Sequence, residues 1–364
     1  MRIMITGGGT GGHTSPAIAA IEELRRRDTQ LCVQWVGRTG GFEAGVSAAH
    51  SVPFRGLPVE GWPRRSTWRK AWVAAKLVYS VCRAALLVRV FRPQVVLGVG
   101  GYVSLPLGWA AQRMGIPTVL HEQNKRLGMA NQILAPRAAR ILLSYEDTEG
   151  EYPREHAQVV GNPVRSGFAD PPDTASARKK LGLDTTVPVV LVCGGSQGAR
   201  SINQAMRDLL PHFHSGEVQF LWMTGKDGYA EARAQADQAQ AQTLVFRYID
   251  DMVAACAAAD LIISRSGAST TAELAMMGKP SILVPYPHAT DNHQEKNARA
   301  FEAAGAADVL LDSECTGNTL AERLKALLQD PDRLRRMAEA AHGLAKPGAA
   351  ETLVEGILEL VFKE

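Results

Sequence analysis

The sequence predicts an α/β protein made of two Rossmann-like parallel-sheet domains that face an interdomain cleft. Three observations predict it. The 364 residues exceed the range in which a single hydrophobic core keeps growing, so two domains follow. Each half alternates short apolar runs of strand length with longer helical segments, the pattern of a doubly wound parallel sheet. Each half also carries, near its head, a glycine-rich turn between a strand and a helix, and ligand loops at carboxyl strand ends put the active cleft between the domains.

Residues 2–6 form the first apolar strand, followed by the glycine turn and a helix over 15–27 with Pro16 in its first turn. Residues 31–36 are the next strand. A long helix fills 72–90 and stops before Arg92-Pro93, because the residue ahead of a proline is driven out of the helical region. Residues 95–99, 117–121 and 141–144 complete the buried strands of this half. The second series begins after Gly161-Asn162-Pro163, with Pro171-Pro172 and the polar run to Lys180 as a linker or leading helix. A strand over 187–193, a glycine turn and a helix from Ala199 follow, then strands over 219–224, 243–248, 261–264 and 281–285. The expected domains are 1–163 and 164–346. The segment 347–364, behind the break Lys346-Pro347-Gly348, is expected to form a helix that packs back on the N-terminal domain.

Composition narrows the class of function. A net charge of only +3 argues against a dedicated nucleic-acid binder. Cys32, Cys82, Cys193, Cys256 and Cys315 are odd in number and contain no Cys-x-x-Cys pair, which fits buried thiols in a reducing cytoplasm and no zinc or disulfide framework. Met1 runs straight into the first strand, so no signal peptide is expected. The longest apolar stretch, 71–91, is interrupted by Lys76, Arg83 and Arg89, and a spanning helix is not expected. The expectation is a cytoplasmic protein that can still touch a membrane.

The first glycine loop, Gly7-Gly8-Gly9-Thr10-Gly11-Gly12-His13, lets the backbone turn sharply and approach a ligand, while the following helix offers unpaired N–H groups to an anion. A dinucleotide-binding oxidoreductase would use such a loop too, but it wants an acidic residue at the end of the second strand, and that strand ends Val36-Gly37-Arg38. Arg38 would suit only a 2′-phosphate. His13 follows the glycines directly, and imidazole is the side chain best matched to proton removal near neutrality. In the second half, Gly194-Gly195-Ser196-Gln197-Gly198 repeats the arrangement, with Ser196 as an added hydroxyl donor to a diphosphate. At Ser266-Gly267-Ala268-Ser269-Thr270-Thr271-Ala272-Glu273 two readings stand side by side. Ser269 or Thr270 caps a helix, with Glu273 closing a capping box, or Glu273 accepts ribose hydroxyls while the small residues admit a diphosphate.

Taken in order along nearly the whole chain, several motifs resemble the bacterial peptidoglycan N-acetylglucosaminyltransferases (the MurG family), which convert lipid I to lipid II. They are Gly8-Gly9-Thr10-Gly11-Gly12-His13, Gly100-Gly101-Tyr102-Val103-Ser104, His121-Glu122-Gln123-Asn124, Gly161-Asn162-Pro163-Val164-Arg165, Gly194 to Arg200, Ile249-Asp250-Asp251-Met252, Arg265 to Glu273 and Pro285 to Gln294. The resemblance implies the GT-B fold, UDP-N-acetylglucosamine as donor and inversion at the anomeric carbon. It implies a UDP-sugar site lined by Arg165, Ser196, Ile249, Ala268, Ser269, Thr270, Thr271, Ala272, Glu273 and Gln294, with Thr10, Gly11, Gly12 and Asn124 reaching the sugar and diphosphate from the other domain. Gly100, Gly101, Tyr102, Ser104 and Asn131 fall to the acceptor, with Asn203 another polar position. The stretch Lys125 to Ala130 and Leu105 depart from the family's usual glycine-containing pattern, both on the acceptor side.

The implied reaction is a single displacement by the C4 hydroxyl of lipid-linked N-acetylmuramate, with His13 as base and Glu122 as its substitute or orienting partner. No cofactor or metal is expected. The one Asp-x-Asp spacing, Asp330-Pro331-Asp332, fits helix capping, so leaving-group charge would fall to helix N-termini and Arg165. Arg64, Arg65, Trp68, Arg69 and Lys70 lead into the helix in which Arg69, Lys76 and Arg83 share a face. That basic, Trp-bearing segment suits docking on anionic lipid at the cytoplasmic face of the inner membrane, as a polyprenyl-linked acceptor requires. Other cell-wall enzymes are further candidate partners, and nucleic acid is not. The rival readings are a UDP-sugar 2-epimerase of the same architecture and a nucleotide-binding membrane adaptor without catalysis.

Overall fold

Alternation along the first strand shows how the first core is assembled. Ile3 and Ile5 face one side of a parallel sheet and Met4 the other, all fully buried, because successive side chains of a strand point to opposite faces. The computed structural model describes residues 1–9, 11–62, 67–195 and 197–362, so Thr10, Arg64, Arg65 and Ser196 lie outside the described residues.

In chain order the main elements are β1 (Arg2–Thr6), α1 (Gly11–Arg27), β2 (Cys32–Arg38), α2 (Phe42–Ala49), β3 (Phe54–Leu57), α3 (Thr67–Phe91), β4 (Val95–Gly98), α4 (Ser104–Arg113), β5 (Thr118–Glu122), α5 (Met129–Leu134), β6 (Arg140–Leu143) and β7 (Ala157–Val159). There follow α6 (Ser166–Ala169), α7 (Thr174–Leu181), β8 (Val189–Cys193), α8 (Arg200–Leu209), β9 (Gln219–Met223), α9 (Tyr229–Ala236), β10 (Thr243–Phe246), α10 (Met252–Ala258), β11 (Leu261–Ser264), α11 (Ala268–Met276), β12 (Ser281–Leu283), α12 (His293–Ala303), β13 (Ala307–Val309), α13 (Gly317–Leu328), α14 (Pro331–Gly343) and α15 (Ala349–Val361).

The chain divides into two units, Met1–Ser166 with Gly348–Glu364, and Gly167–Pro347. The first holds a seven-stranded sheet in the order β3-β2-β1-β4-β5-β6-β7, and the second a six-stranded sheet in the order β10-β9-β8-β11-β12-β13; every pairing is parallel. The strand order reverses beside β1 in one sheet and beside β8 in the other, and ligands of open α/β sheets bind outside the carboxyl ends at such a reversal.

In the first unit α1 and α15 cover one face, where Leu353, Val354 and Ile357 are fully buried with Ile3 and Ile5. The other face is covered by α3 and α4. Full burial of one such aliphatic side chain contributes about 1.5–3 kcal/mol. In the second unit Ile202, Met206 and Leu209 of α8 meet Leu320, Leu324 and Leu327 of α13.

Four local expectations are corrected. Helix α1 begins at Gly11, four residues early, so Pro16 sits inside it and His13 belongs to its first turn. Strand β2 runs to Arg38 because it pairs with β3, which hydrophobic patterning did not reveal. Helix α3 starts at Thr67, ahead of the expected residue 72; its stretch Trp68–Phe91 (24 residues) is long and apolar enough to cross a membrane by length and composition only. Cys32 and Cys82 are exposed, at the start of β2 and on the outer face of α3, whereas Cys193, Cys256 and Cys315 are buried.

Candidate active site

At the reversal beside β1, two glycine loops interlock. A Cβ at Gly101 would lie 2.7 Å from the Gly8 carbonyl oxygen, so only glycine allows the loop after β4 to touch the loop after β1. The His13 ring rests on the same backbone: a Cβ at Gly100 would stand 3.0 Å from His13 Cδ2 and 3.4 Å from Nε2, and one at Gly101 3.6 Å from Nδ1. His13 is half-buried and presents its ring at the carboxyl ends of β1 and β4.

Behind it lies a buried chain of hydrogen bonds. His121 Nε2 meets the Gly161 carbonyl oxygen at 3.1 Å; a carbonyl only accepts, so Nε2 carries the proton and Nδ1 accepts from Gln123 Nε2 at 3.0 Å. Gln123 Nε2 also donates to the Val99 carbonyl oxygen at 2.9 Å, fixing the strand end that leads into Gly100. Burial pushes the His121 imidazole down to about 4 against the favourable Gly161 contact, and the nearby His13 lowers it further.

Glu122 is spent on its own loop. Oε1 accepts from the Asn124 backbone N–H and Nδ2, each at 3.1 Å, and Oε2 accepts from the Gly128 N–H and Asn131 Nδ2, each at 2.9 Å. With four donors on a carboxylate that is 3% exposed, the side chain anchors residues 124–131. Asn131 is drawn into the same anchor and also donates to the His121 carbonyl oxygen. The unusual stretch after Asn124 is tied down as well: Lys125 pairs with Asp147 at 2.8 Å, and backbone bonds join Leu127 and Lys125 to Glu149. Leu105 packs beside the core of β5 and β6. Ser104 is fully buried and donates to the Gly101 carbonyl oxygen at 2.8 Å, while Tyr102 Oη accepts from Arg38 at 3.4 Å.

In the second unit, the loop at 194–198 touches the loop after β9, because Gly198 faces the Thr224 carbonyl oxygen and Gly225 faces that of Gln197. Beside it β11 leads into α11, whose N-cap is Gly267, with no side-chain cap bond. The capping-box alternative is therefore not formed, because the N-cap falls on Gly267 and not on Thr270. Ala268, Ser269 and Thr271 are buried, whereas Thr270, Ala272 and Glu273 are half-buried. Glu273 stands near the end of β8, since after burial its charge is the further cause that holds the Cys193 thiol up at about 12. Gln294 Oε1 accepts from the Tyr286 N–H at 3.0 Å, and its backbone oxygen takes the Ser266 hydroxyl at 2.7 Å, tying α12 to the loop before α11. Ile249 is buried with its N–H on Met223 Sδ.

One expected site residue is committed elsewhere, and another lies at a unit boundary. Asn203 is committed internally, donating to the Thr224 carbonyl oxygen at 2.8 Å and accepting from Trp222 at 3.2 Å. Arg165 falls in the first unit, where, after burial and against Glu22, its charge helps lower the His50 imidazole. Among the described residues no group of three His, Cys, Asp or Glu side chains is placed to hold a metal ion. Asp330 caps α14 through the Arg333 N–H, and Asp332 pairs with Arg335.

Two parallel-sheet units with glycine loops at both strand-order reversals define a two-domain α/β enzyme of the GT-B type. The chain belongs to glycosyltransferase family 28: the N-terminal domain model of that family matches residues 3–143 and the C-terminal domain model residues 189–353. Over the full length of both chains it is 38% identical to the UDP-N-acetylglucosamine--N-acetylmuramyl-(pentapeptide) pyrophosphoryl-undecaprenol N-acetylglucosamine transferase of Desulfitobacterium hafniense. The crystal structure of Acinetobacter baumannii MurG superposes with a TM-score of 0.74 at 26% identity, over 98% of this chain and 99% of that one. A UDP-GlcNAc 2-epimerase from Neisseria meningitidis bound to UDP-GlcNAc shares the fold at 14% identity, with a TM-score of 0.65 over 99% of this chain and all of that one.

Proposed function

We propose that this enzyme transfers N-acetylglucosamine from UDP-N-acetylglucosamine to the C4 hydroxyl of undecaprenyl-pyrophosphoryl-N-acetylmuramoyl-peptide, lipid I, giving lipid II with inversion. The observation that carries the reading is the pairing, in a chain of this family, of a His13-bearing glycine loop at one strand-order reversal with the α11 N-terminus, free of a side-chain cap, at the other. The α11 N-terminus and the loop at 194–198 suit the UDP diphosphate, and Glu273 suits the ribose hydroxyls. The first unit suits the acceptor, with residues 98–104 for the lipid diphosphate.

In the reaction the acceptor C4 oxygen forms a bond to the anomeric carbon from the face opposite the phosphate. The bond from that carbon to the UDP oxygen breaks, and His13 takes the hydroxyl proton. Charge on the departing diphosphate is met by helix N-termini and Arg165, with no metal or cofactor in the step. The four donors on Glu122 favour His13 over it as the base.

Peripheral docking at the cytoplasmic membrane face belongs to the same reading. Helix α3 turns Val73, Ser80, Ala84 and Val88 inward, and only 22% of its most apolar window is buried. Trp68, Trp72, Tyr79, Leu86 and Val90 stand exposed on its outer side, flanked by Arg69, Lys70 and Arg83. Each such cation near anionic lipid contributes about 1 kcal/mol.

A two-arm assay tests the transfer. With UDP-N-acetylglucosamine and a lipid I analogue the enzyme should release UDP in step with a new disaccharide; with the donor alone it should release neither UDP nor the 2-epimer. Epimer in the second arm, or no disaccharide in the first, would overturn the reading.

A further inference from the structure

The transfer reading gives no task to Glu43, yet this side chain occupies the space directly beneath the first glycine loop. It is fully buried in the first turn of α2, where a carboxylate is favoured by the helix N-terminus. Oε1 accepts from the Arg38 N–H at 2.6 Å and Oε2 from the Gly9 N–H at 3.2 Å, so one carboxylate joins the end of β2 to the middle of the loop. A buried carboxylate is costly unless its oxygens are hydrogen-bonded, and here both are.

Three glycines are shaped around it. A Cβ at Gly8 would lie 2.6 Å from Oε2, one at Gly41 2.6 Å from Oε1, and one at Gly37 2.5 Å from the Glu43 Cγ. Gly41 has φ −75° and ψ 160°, backbone that any residue adopts, so what excludes a side chain there is the carboxylate and not the turn. Gly8 in turn touches Gly101, on which the His13 ring rests. An unbroken series of contacts thus runs from Glu43 through Gly8 and Gly101 to His13.

We infer that Glu43 is a positioning residue for the transfer: it holds the first glycine loop at the height that sets the His13 ring against Gly100 and Gly101. The inference rests on the proposed reaction. It predicts a loss mainly in turnover, since the α11 N-terminus and the loop at 194–198, to which the UDP is assigned, lie in the second unit. Displacements of about 1 Å at a reacting group cost about 100-fold in rate.

Glu43→Ala should lower kcat about 100-fold with the donor KM changed by less than about twofold. Glu43→Gln has one acceptor oxygen where two N–H groups need one each, so it should lose about tenfold in kcat even if its melting temperature is native. Gly41→Ala should lower kcat by pushing the carboxylate aside, and should cost nothing further when added to Glu43→Ala. Native kcat in folded Glu43→Gln and Gly41→Ala enzymes, or multiplied losses in the double variant, would overturn the inference. Should Glu43→Ala fail to fold, those two single variants decide. Wild-type enzyme that makes no disaccharide in the same assay would instead overturn the proposed reaction.

Discussion

His121 shows how a single buried residue can carry a pH signature. Its ordinary value near 6.5 is driven down to about 4, so the folded protein keeps the ring neutral where an unfolded chain would protonate it. A depressed histidine contributes stability that is complete above about 6.5 and is lost as pH falls toward 4, at up to about 1.4 kcal/mol per pH unit. Protonation would also place an Nδ1–H against the Gln123 amide and break its bond to His121. In an imidazole NMR titration His121 should remain the Nε2–H tautomer at pH 5; a midpoint near 6.5 would contradict this account. At this scale the sequence was informative where chemistry is local and silent where it is not. His13 stood out because it follows five glycines in six positions, whereas Glu43 lies in an ordinary helical stretch. Only folding brings it against Gly8, Gly37 and Gly41. Glu122 reads in sequence as a substitute or orienting partner for His13, and its four donors, all supplied by residues 124–131, come only with the fold.

Among the elements, most strands of both sheets were legible because they are short apolar runs buried on both faces, the signature of a parallel sheet. Edge strand β3, with an exposed arginine and one glycine in Phe54–Leu57, has no such signature, and the three-residue edge strands β7 and β13 are too short to carry one. The start of α1 was misplaced because Gly11 and Gly12 have low helix propensity, and tertiary contacts overrode it. Helix α3 reads in sequence as a docking segment from its cations and Trp68, whereas the structure adds that one face packs on α4 while the other shows Trp68, Trp72 and Tyr79 to solvent beside those cations. Exposed apolar surface of that extent marks an interaction site. Replacing Trp68 and Trp72 by Glu should abolish sedimentation with anionic vesicles while leaving transfer to a water-soluble acceptor close to native. Undiminished vesicle binding by that variant would remove α3 from the docking surface.

At the scale of the whole molecule, the UDP falls to the second unit and the acceptor hydroxyl with its base to the first in the proposed reaction. The strand orders repeat, with reversals at β1 and β8, yet the two loops differ in what stands beside them. The loop of the second unit neighbours the N-terminus of α11, suited to a diphosphate. The loop of the first unit has a buried carboxylate beneath it and an imidazole beside it, suited to a neutral hydroxyl that must lose a proton. This division is the central claim, and His13→Ala probes it most directly. Steady-state transfer to a lipid I analogue should fall about 100-fold or more in kcat, with UDP-N-acetylglucosamine KM and UDP affinity unchanged. Near-native kcat, or a loss that appears as weakened UDP binding, would contradict it.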